Sequence, residues 1–348
     1  MEYQEIVAYW WLLPAVAGLS LFLTYGLRQY ALAHQLIDIP GERSSHSAPT
    51  PRGGGVAILV SFMTVLLLLA VTDLQAWSSA STLLGAGMIV ALVGFIDDHK
   101  HIAARWRLLA HFVASAWALT SIGGPPSIVV FGSALGSGWG GAGLASIYLV
   151  WLLNLYNFMD GIDGIASVEA IFVCVGGALL YWLSGQPGLA VAPLLLAAAV
   201  TGFLYWNFPP ARIFMGDAGS GFLGFTLAVM SLQAGWVSPA LFWAWVILLG
   251  VFVVDATLTL LRRLVSGEKV YEAHRTHAYQ YAARRFGRHL PVTLFVAAIN
   301  LCWLLPIAVL VAGGVVEGML GVLVAYTPLI VLALLLGAGK AERSNTSI

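Results

Sequence analysis

The sequence predicts an all-α polytopic membrane protein of about eleven transmembrane helices, and three observations predict it. Hydrophobic residues make up 60% of the 348 and charged ones only 9%, too little polar surface to cover a soluble globule of that size. Apolar stretches of roughly 17–23 residues, enough to cross a hydrocarbon core of about 30 Å as helix, recur along the whole length. All 16 lysines and arginines can be threaded to one face, which the preference of basic residues for cytoplasmic loops makes the inner one.

The spans predicted in order are 7–28, 54–72, 80–96, 106–122, 143–158, 166–183, 189–206, 220–236, 239–261, 291–312 and 319–337. The face opposite the basic residues then holds only Glu2, Glu5, Asp73 and Glu317 among charged side chains. The N-terminus is accordingly expected outside, the C-terminus in the cytoplasm, and residues 1–348 as one integral membrane domain. Residues 1–6 lack a basic segment and no small-residue cleavage pattern follows the first apolar run, so that span is expected to be retained. Cys174 and Cys302 lie within apolar segments and are expected to be core residues, with no disulfide framework or metal site. A glycine-rich, uncharged stretch at 123–143 is expected to be an outer loop with a short hairpin and no chemistry.

Polar chemistry gathers in the inner loops. Residues 38–55, DIPGERSSHSAPTPRGGG, are too rich in proline and glycine for continuous helix, and their Arg43, His46 and Arg52 can meet a phosphate or serve a solvated linker. Asp97 and Asp98 end the third span; adjacent helical positions point about 100° apart, so one can reach a metal or substrate while its neighbour turns toward Lys100, Arg105 or Arg107. In NLYNFMDGIDGIA, Asn157, Asp160 and Asp163 recur every three residues and form one stripe if the helix persists through Gly161 and Gly164. Three such oxygen-bearing groups suit a hard cation or a nucleobase edge, and Mg²⁺ needs only one or two protein ligands beside phosphate and water.

The seventh span exits into NFPPARIFMGDAGSGFLGF. There Asp217 offers a metal ligand, the small residues after it let helix-terminal N–H groups approach phosphate, and Phe214 can stack on a base. A tight helix–helix turn with an N-capping acid is an equal reading. The loop 262–290 is strongly basic, and its His274, Arg275 and His277 can fold over an anion, whereas Arg284, Arg285 and Arg288 suit lipid headgroups. Zinc is not expected in this loop for want of a third ligand. Asp255 is expected to pair with Arg262 or Arg263. Oxygen ligands, cations and a carboxylate base on one face are the parts of a phosphoryl-transfer site.

These loops closely resemble the polyprenyl-phosphate N-acetylhexosamine-1-phosphate transferases, glycosyltransferase family 4. The resemblance is carried by D-x-P, R-x-x-H and P-R-G-G-G within 38–55, the Asp97-Asp98 pair, Asn157-Phe-Met-Asp160-Gly-Ile-Asp163-Gly, Phe214-Met-Gly-Asp217-x-Gly-Ser, and the histidine loop at 274–280. It implies transfer of a sugar 1-phosphate from a UDP-N-acetylhexosamine to undecaprenyl phosphate with release of UMP, in a multi-pass protein of the bacterial inner membrane. It implies Mg²⁺, for which Mn²⁺ can substitute, held by Asp217 and Asn157. It also implies Phe214 stacked on uracil, with Asp163 and Asp160 toward the nucleotide, and His274, Arg275 and His277 over sugar and pyrophosphate. Asp97 and Asp98 are implied to activate the lipid phosphate, Asp97 the favoured member, with Arg43, His46, Arg52, Lys100 and Arg105 binding it. Nucleic acid is not an expected partner, and a homodimer is compatible with the reading.

Two departures favour the O-antigen and surface-polysaccharide initiators over the peptidoglycan-precursor branch. His101 stands where that branch carries lysine, and HRTHAYQ where it carries a histidine run. Two rival readings are weaker. A CDP-alcohol phosphatidyltransferase would need Ala-Arg where Ser167-Val168 stands, together with a second aspartate helix. A cation-coupled transporter would want acids at the midplane and related halves.

Overall fold

A computed structural model describes residues 10–41, 45–46, 48–100, 102–135, 138–268 and 274–340. Each predicted apolar stretch is helical within them. Helices α1 (Leu12–Ala33), α2 (Gly55–Val71), α3 (Trp77–His99) and α4 (Ala104–Ser121) come first. They are followed by α5 (Gly138–Met159), α6 (Ile165–Leu183), α7 (Val191–Asn207) and α8 (Asp217–Val237). Beyond α8 the helices are more broken. An apolar stretch bent by 71° forms α9 (Pro239–Leu248) and α10 (Gly250–Val265). The short α11 (Ala278–Phe286) precedes α12 (Leu290–Ile299), which runs through a π turn at Asn300–Leu304 into α13 (Leu305–Ala312), and α14 (Gly318–Leu336) ends the described chain.

Among the described residues, seven helices are long and apolar enough to cross a membrane, eight if the bent pair is one span. The protein is an all-α, multi-pass membrane protein. The 17-residue α2 is too short for that count, and α1 and α4 are long enough but less apolar. Strands among the described residues form two antiparallel hairpins. One pairs β1 (Ile37–Asp38) with β2 (Thr50–Pro51), and the other pairs β3 (Ile128–Val130) with β4 (Ser133–Leu135). The second is the hairpin expected in the glycine-rich stretch, although α5 begins at Gly138, earlier than apolar periodicity placed it.

The centre of the bundle is α8, buried along almost all its length and packed on α2, α3, α5 and α9. Its opening run, Ala218-Gly219-Ser220-Gly221, has no large side chain, so neighbouring backbones can close in. A Cβ built on Gly55 of α2 would stand 2.4 Å from the Gly219 Cα, and one on Gly94 of α3 only 2.6 Å from the Ala218 Cα. These approaches seat α2 and α3 against the first turn of α8.

Helix ends are closed by polar groups. The Ser238 hydroxyl accepts from the Leu241 N–H at 3.1 Å, with Pro239 at the first helical position. Glu317 accepts from the Leu320 N–H at 2.8 Å. The break between α9 and α10 would strand backbone N–H groups in an apolar interior. There Glu169, fully buried, accepts from the Phe252 N–H and from the Asn300 amide at 2.6 Å.

Candidate functional site

Loop 208–216 is laced to the loop after β2. The Phe214 N–H donates to the Pro51 carbonyl at 2.8 Å, Gly54 N–H to Phe214 at 2.9 Å, and Gly55 N–H to Met215 at 2.8 Å. The chain then turns through Gly216, at φ 80°, a value that suits glycine, and enters α8. The Phe214 ring stands edge-on to His46 at 4.9 Å between centroids. Arg52 donates to the Asp98 carbonyl.

The Asp97-Asp98 pair divides its work as adjacent helical positions must. Asp98 accepts the N–H groups of Asp217 at 3.1 Å and Ala218 at 3.2 Å. It caps α8 from another helix, in a place that Gly94, one turn earlier, opens for it. The next two N–H groups of α8, those of Gly219 and Ser220, both donate to the Gly216 carbonyl at 3.1 Å. The N–H groups of Asp217, Ala218 and Gly219 are therefore satisfied within the protein and are not open to the phosphate expected at this terminus. Asp97 turns the other way. It pairs with Arg107 and accepts the Ile102 N–H at 2.7 Å, and Arg107 also lies 3.9 Å from the second Asp217 oxygen.

Asn157 and Asp217, 60 residues apart in sequence, meet: the amide donates to the Asp217 Oδ1 at 3.1 Å and to the Ser220 hydroxyl at 3.0 Å. The predicted helical stripe does not form, because α5 ends at Met159 and the chain turns from Asp160 to Gly164, where φ is 74°. Two tethers hold that turn. Asn207 accepts from the Gly164 N–H at 3.0 Å while donating to the Ile213 carbonyl at 3.0 Å, and Asp163 accepts from the Ala211 N–H at 3.0 Å. His289 completes it, 3.1 Å from the Asp163 carboxylate and 2.9 Å from the Ser45 carbonyl. Burial by itself would lower the His289 pKa; the bond to Asp163, that carboxylate's charge and the Ser45 carbonyl outweigh it and raise it above 6.5. Burial pushes the Asp160 carboxyl well up, and the charges of Asp217, Asp98 and Asp163 add to the effect.

These groups line a cavity of about 240 Å³ that takes in His46, Arg52, Asp98, Asn157, Asp160 and Asp163 together with Phe214 and Asp217. It also takes in Asn207, Ser220, Gln280 and His289, which the sequence reading did not assign to the site. The other expected residues lie elsewhere. Asp97 lines an adjoining chamber, Lys100 and Arg105 are exposed, and Arg43 falls outside the described residues, as do His101 and Lys269.

The histidine loop is built as a support. His277 is buried, 3.4 Å from Asp255, and forms a capping box with Gln280 at the start of α11. Asp255 accepts the Ala278 and Tyr279 N–H groups, both at 2.9 Å. That corrects its expected pairing, and Arg263 instead bonds Glu268 at 2.8 Å. His274 stacks on His277 at 4.9 Å. Burial first, then His277 and Arg263, lower its pKa to about 3, so it brings no positive charge at neutral pH. Neither histidine nor Arg275 lines the cavity; from this loop Gln280 does.

Two further spaces extend the site. The chamber holding Asp97, Arg107 and His111, about 220 Å³, shares Asn157 and Asp217 with the polar cavity. On its other side it shares Leu108, Asn154 and Phe158 with an apolar groove of about 470 Å³ between α4, α5 and α10.

The sequence profile of glycosyl transferase family 4 matches residues 80–235, a stretch that contains the paired acids, the Asn157–Asp163 turn and Asp217. The chain is similar to glycosyl transferase family 4 over that stretch, somewhat less than half of its length. Among similar proteins, a probable undecaprenyl-phosphate N-acetylglucosaminyl 1-phosphate transferase of Bacillus subtilis is 24% identical over 74% of this chain and 73% of its own. The decaprenyl-phosphate N-acetylglucosaminephosphotransferase of Mycobacterium tuberculosis is 28% identical over 80% and 77%. A phospho-N-acetylmuramoyl-pentapeptide-transferase of Streptococcus pneumoniae is 25% identical over 76% and 83%. The chain is thus an enzyme, a membrane phosphoglycosyl transferase, similar to N-acetylglucosaminyl 1-phosphate transferases and to phospho-N-acetylmuramoyl-pentapeptide-transferases alike.

Proposed function

We propose that this enzyme transfers an N-acetylhexosamine 1-phosphate from a UDP-sugar to undecaprenyl phosphate, releasing UMP and starting a lipid-linked surface glycan of the O-antigen type. The observation that carries the reading is the continuity of acid-lined cavity, arginine-bearing chamber and apolar groove. A donor that is polar and an acceptor that is a phosphate on a hydrocarbon chain need those three environments in that order. In this arrangement Phe214 stacks on the base and Asp163 and Asp160 meet its edge. Arg52, His46 and Arg107 draw the two phosphates together, while Arg43, Lys100 and Arg105 serve the approach of the lipid headgroup. His274, Arg275 and His277 shape the loop over the sugar and pyrophosphate, with Gln280 as its contact.

The residues fit a magnesium ion. Carboxylates of Asp98, Asp160 and Asp217 crowd one cavity, and the donors there are hard oxygens. Among the described residues no three His, Cys, Asp or Glu side chains cage an ion, so Asp217 and Asn157 would hold one whose shell phosphate and water complete. The ion would neutralise charge on the pyrophosphate. Asp98 holds the α8 terminus and with it Asp217, and Asp97 fixes Arg107 beside the reacting centre. By the one-sided placement of basic residues the site faces the cytoplasm, the N-terminus lies outside, and the eleven helical stretches all cross the bacterial inner membrane.

Purified protein in detergent, given undecaprenyl phosphate, Mg²⁺ and a panel of UDP-N-acetylhexosamines, is expected to release UMP with at least one donor. Silence with every donor would refute the proposal.

A further inference from the structure

His111 has no part in the reading so far. It lies on α4, only 8% exposed, lines the chamber between the polar cavity and the apolar groove, and its Nδ1 is buried without a hydrogen-bond partner. A ring nitrogen buried without a partner is destabilising, so a ligand that supplies the missing partner recovers that cost. The ring follows Arg107 by four residues, and such positions on a helix lie about 5–6 Å apart on one face. The chamber's other polar groups are Asp97, Asn154, Asn157 and Asp217. Asp97 is already paired with Arg107, Asn154 donates to the Val150 carbonyl at 2.7 Å, and Asn157 and Asp217 hold each other. The next residue, Phe112, faces the groove. The imidazole thus stands where a headgroup would pass from hydrocarbon to the acids.

We propose that His111 is a specificity-determining contact for the acceptor, donating a ring N–H to the phosphate of the lipid and so selecting a phosphorylated polyprenyl chain over its neutral alcohol. This deepens the reading above and rests on it for the identity of the acceptor. A purely structural histidine would alter stability without distinguishing the two lipids.

The test compares binding of undecaprenyl phosphate and of undecaprenol to wild type and to His111→Ala, His111→Phe and His111→Gln in detergent, beside KM values for each substrate. The Phe and Gln forms fill the space if the Ala form does not fold. Loss of a hydrogen bond to a charged group predicts that Ala and Phe weaken undecaprenyl phosphate binding about tenfold or more, with undecaprenol and UDP-sugar affinities within about twofold. Gln, which keeps an N–H, is expected to recover most of the loss. Undecaprenyl phosphate binding equal to wild type in His111→Phe would overturn the proposal, as would parallel losses for both lipids. Because binding is read without turnover, an enzyme inactive with every UDP-sugar would refute the function above and leave this inference to be decided by the lipid affinities.

Discussion

Gly94→Ala tests whether the catalytic face depends on helix approach rather than on the acids alone. The added Cβ would stand 2.6 Å from the Ala218 Cα, 2.7 Å from its N and 2.8 Å from the Asp217 carbonyl carbon. All three are backbone, so no side chain can move aside. Ordinary contact begins at 3.4 Å, and α3 must therefore retreat from α8 by about 0.8 Å, taking Asp98 with it. The Asp98 bonds of 3.1 and 3.2 Å would stretch beyond useful length. Overpacking of this kind costs about 1–3 kcal/mol, and a misplacement near 1 Å at a reacting centre costs about 100-fold in rate. The assay is UMP release by purified protein together with thermal unfolding in detergent. Gly26→Ala is the control, since nothing lies within 4 Å of its added Cβ. Turnover of Gly94→Ala within about threefold of wild type would refute the reasoning.

Phe214→Ala is expected to weaken UMP binding about tenfold by calorimetry, since base stacking is worth about 1–3 kcal/mol. Asp217→Asn should abolish UMP release while leaving membrane insertion and fold intact, and Mg²⁺ titration of the variant should show no recovery. The raised His289 pKa means that its pairing with Asp163 stabilises the fold fully below pH 6.5 and is lost as pH rises through the folded value. The gap in unfolding temperature between wild type and His289→Gln should accordingly close as pH is raised from 6 toward about 9. Asp255→Asn removes the charge at the start of α11 and is expected to cost about 1 kcal/mol, read as a lower unfolding temperature with a raised KM for the UDP-sugar.

Much of the helix inventory was legible because apolar length is a property of composition, and a bilayer leaves the backbone few alternatives to helix. Breaks within apolar runs were not. The bend between α9 and α10 and the π turn at Asn300–Leu304 depend on Glu169 and Asn300 meeting across the bundle, and neither spacing nor hydropathy announces such a partner. In the site, loop placement put Asn157 and Asp217 on one face and the family resemblance paired them, while the opposed directions of Asp97 and Asp98 followed from helix geometry. Asp255 was misassigned because charge pairing along one helix was weighed and the free N–H groups of a later helix were not. His289 and Asn207 went unassigned for a similar reason: each ties two loops, and a polar residue at the edge of an apolar run carries no sign of what it will hold.

The occupied terminus of α8 has a consequence for how anions are recognised here. In many nucleotide-handling proteins a helix end with open amides supplies the first positive field a phosphate meets. This enzyme has spent that field on its own Asp98, and the cavity that results is net acidic. A diphosphate would therefore be repelled unless positive charge arrives with it or is reached at Arg52 and Arg107. Donor affinity should then depend steeply on divalent concentration and weakly on monovalent salt, and the empty enzyme should discriminate poorly between UMP and uridine.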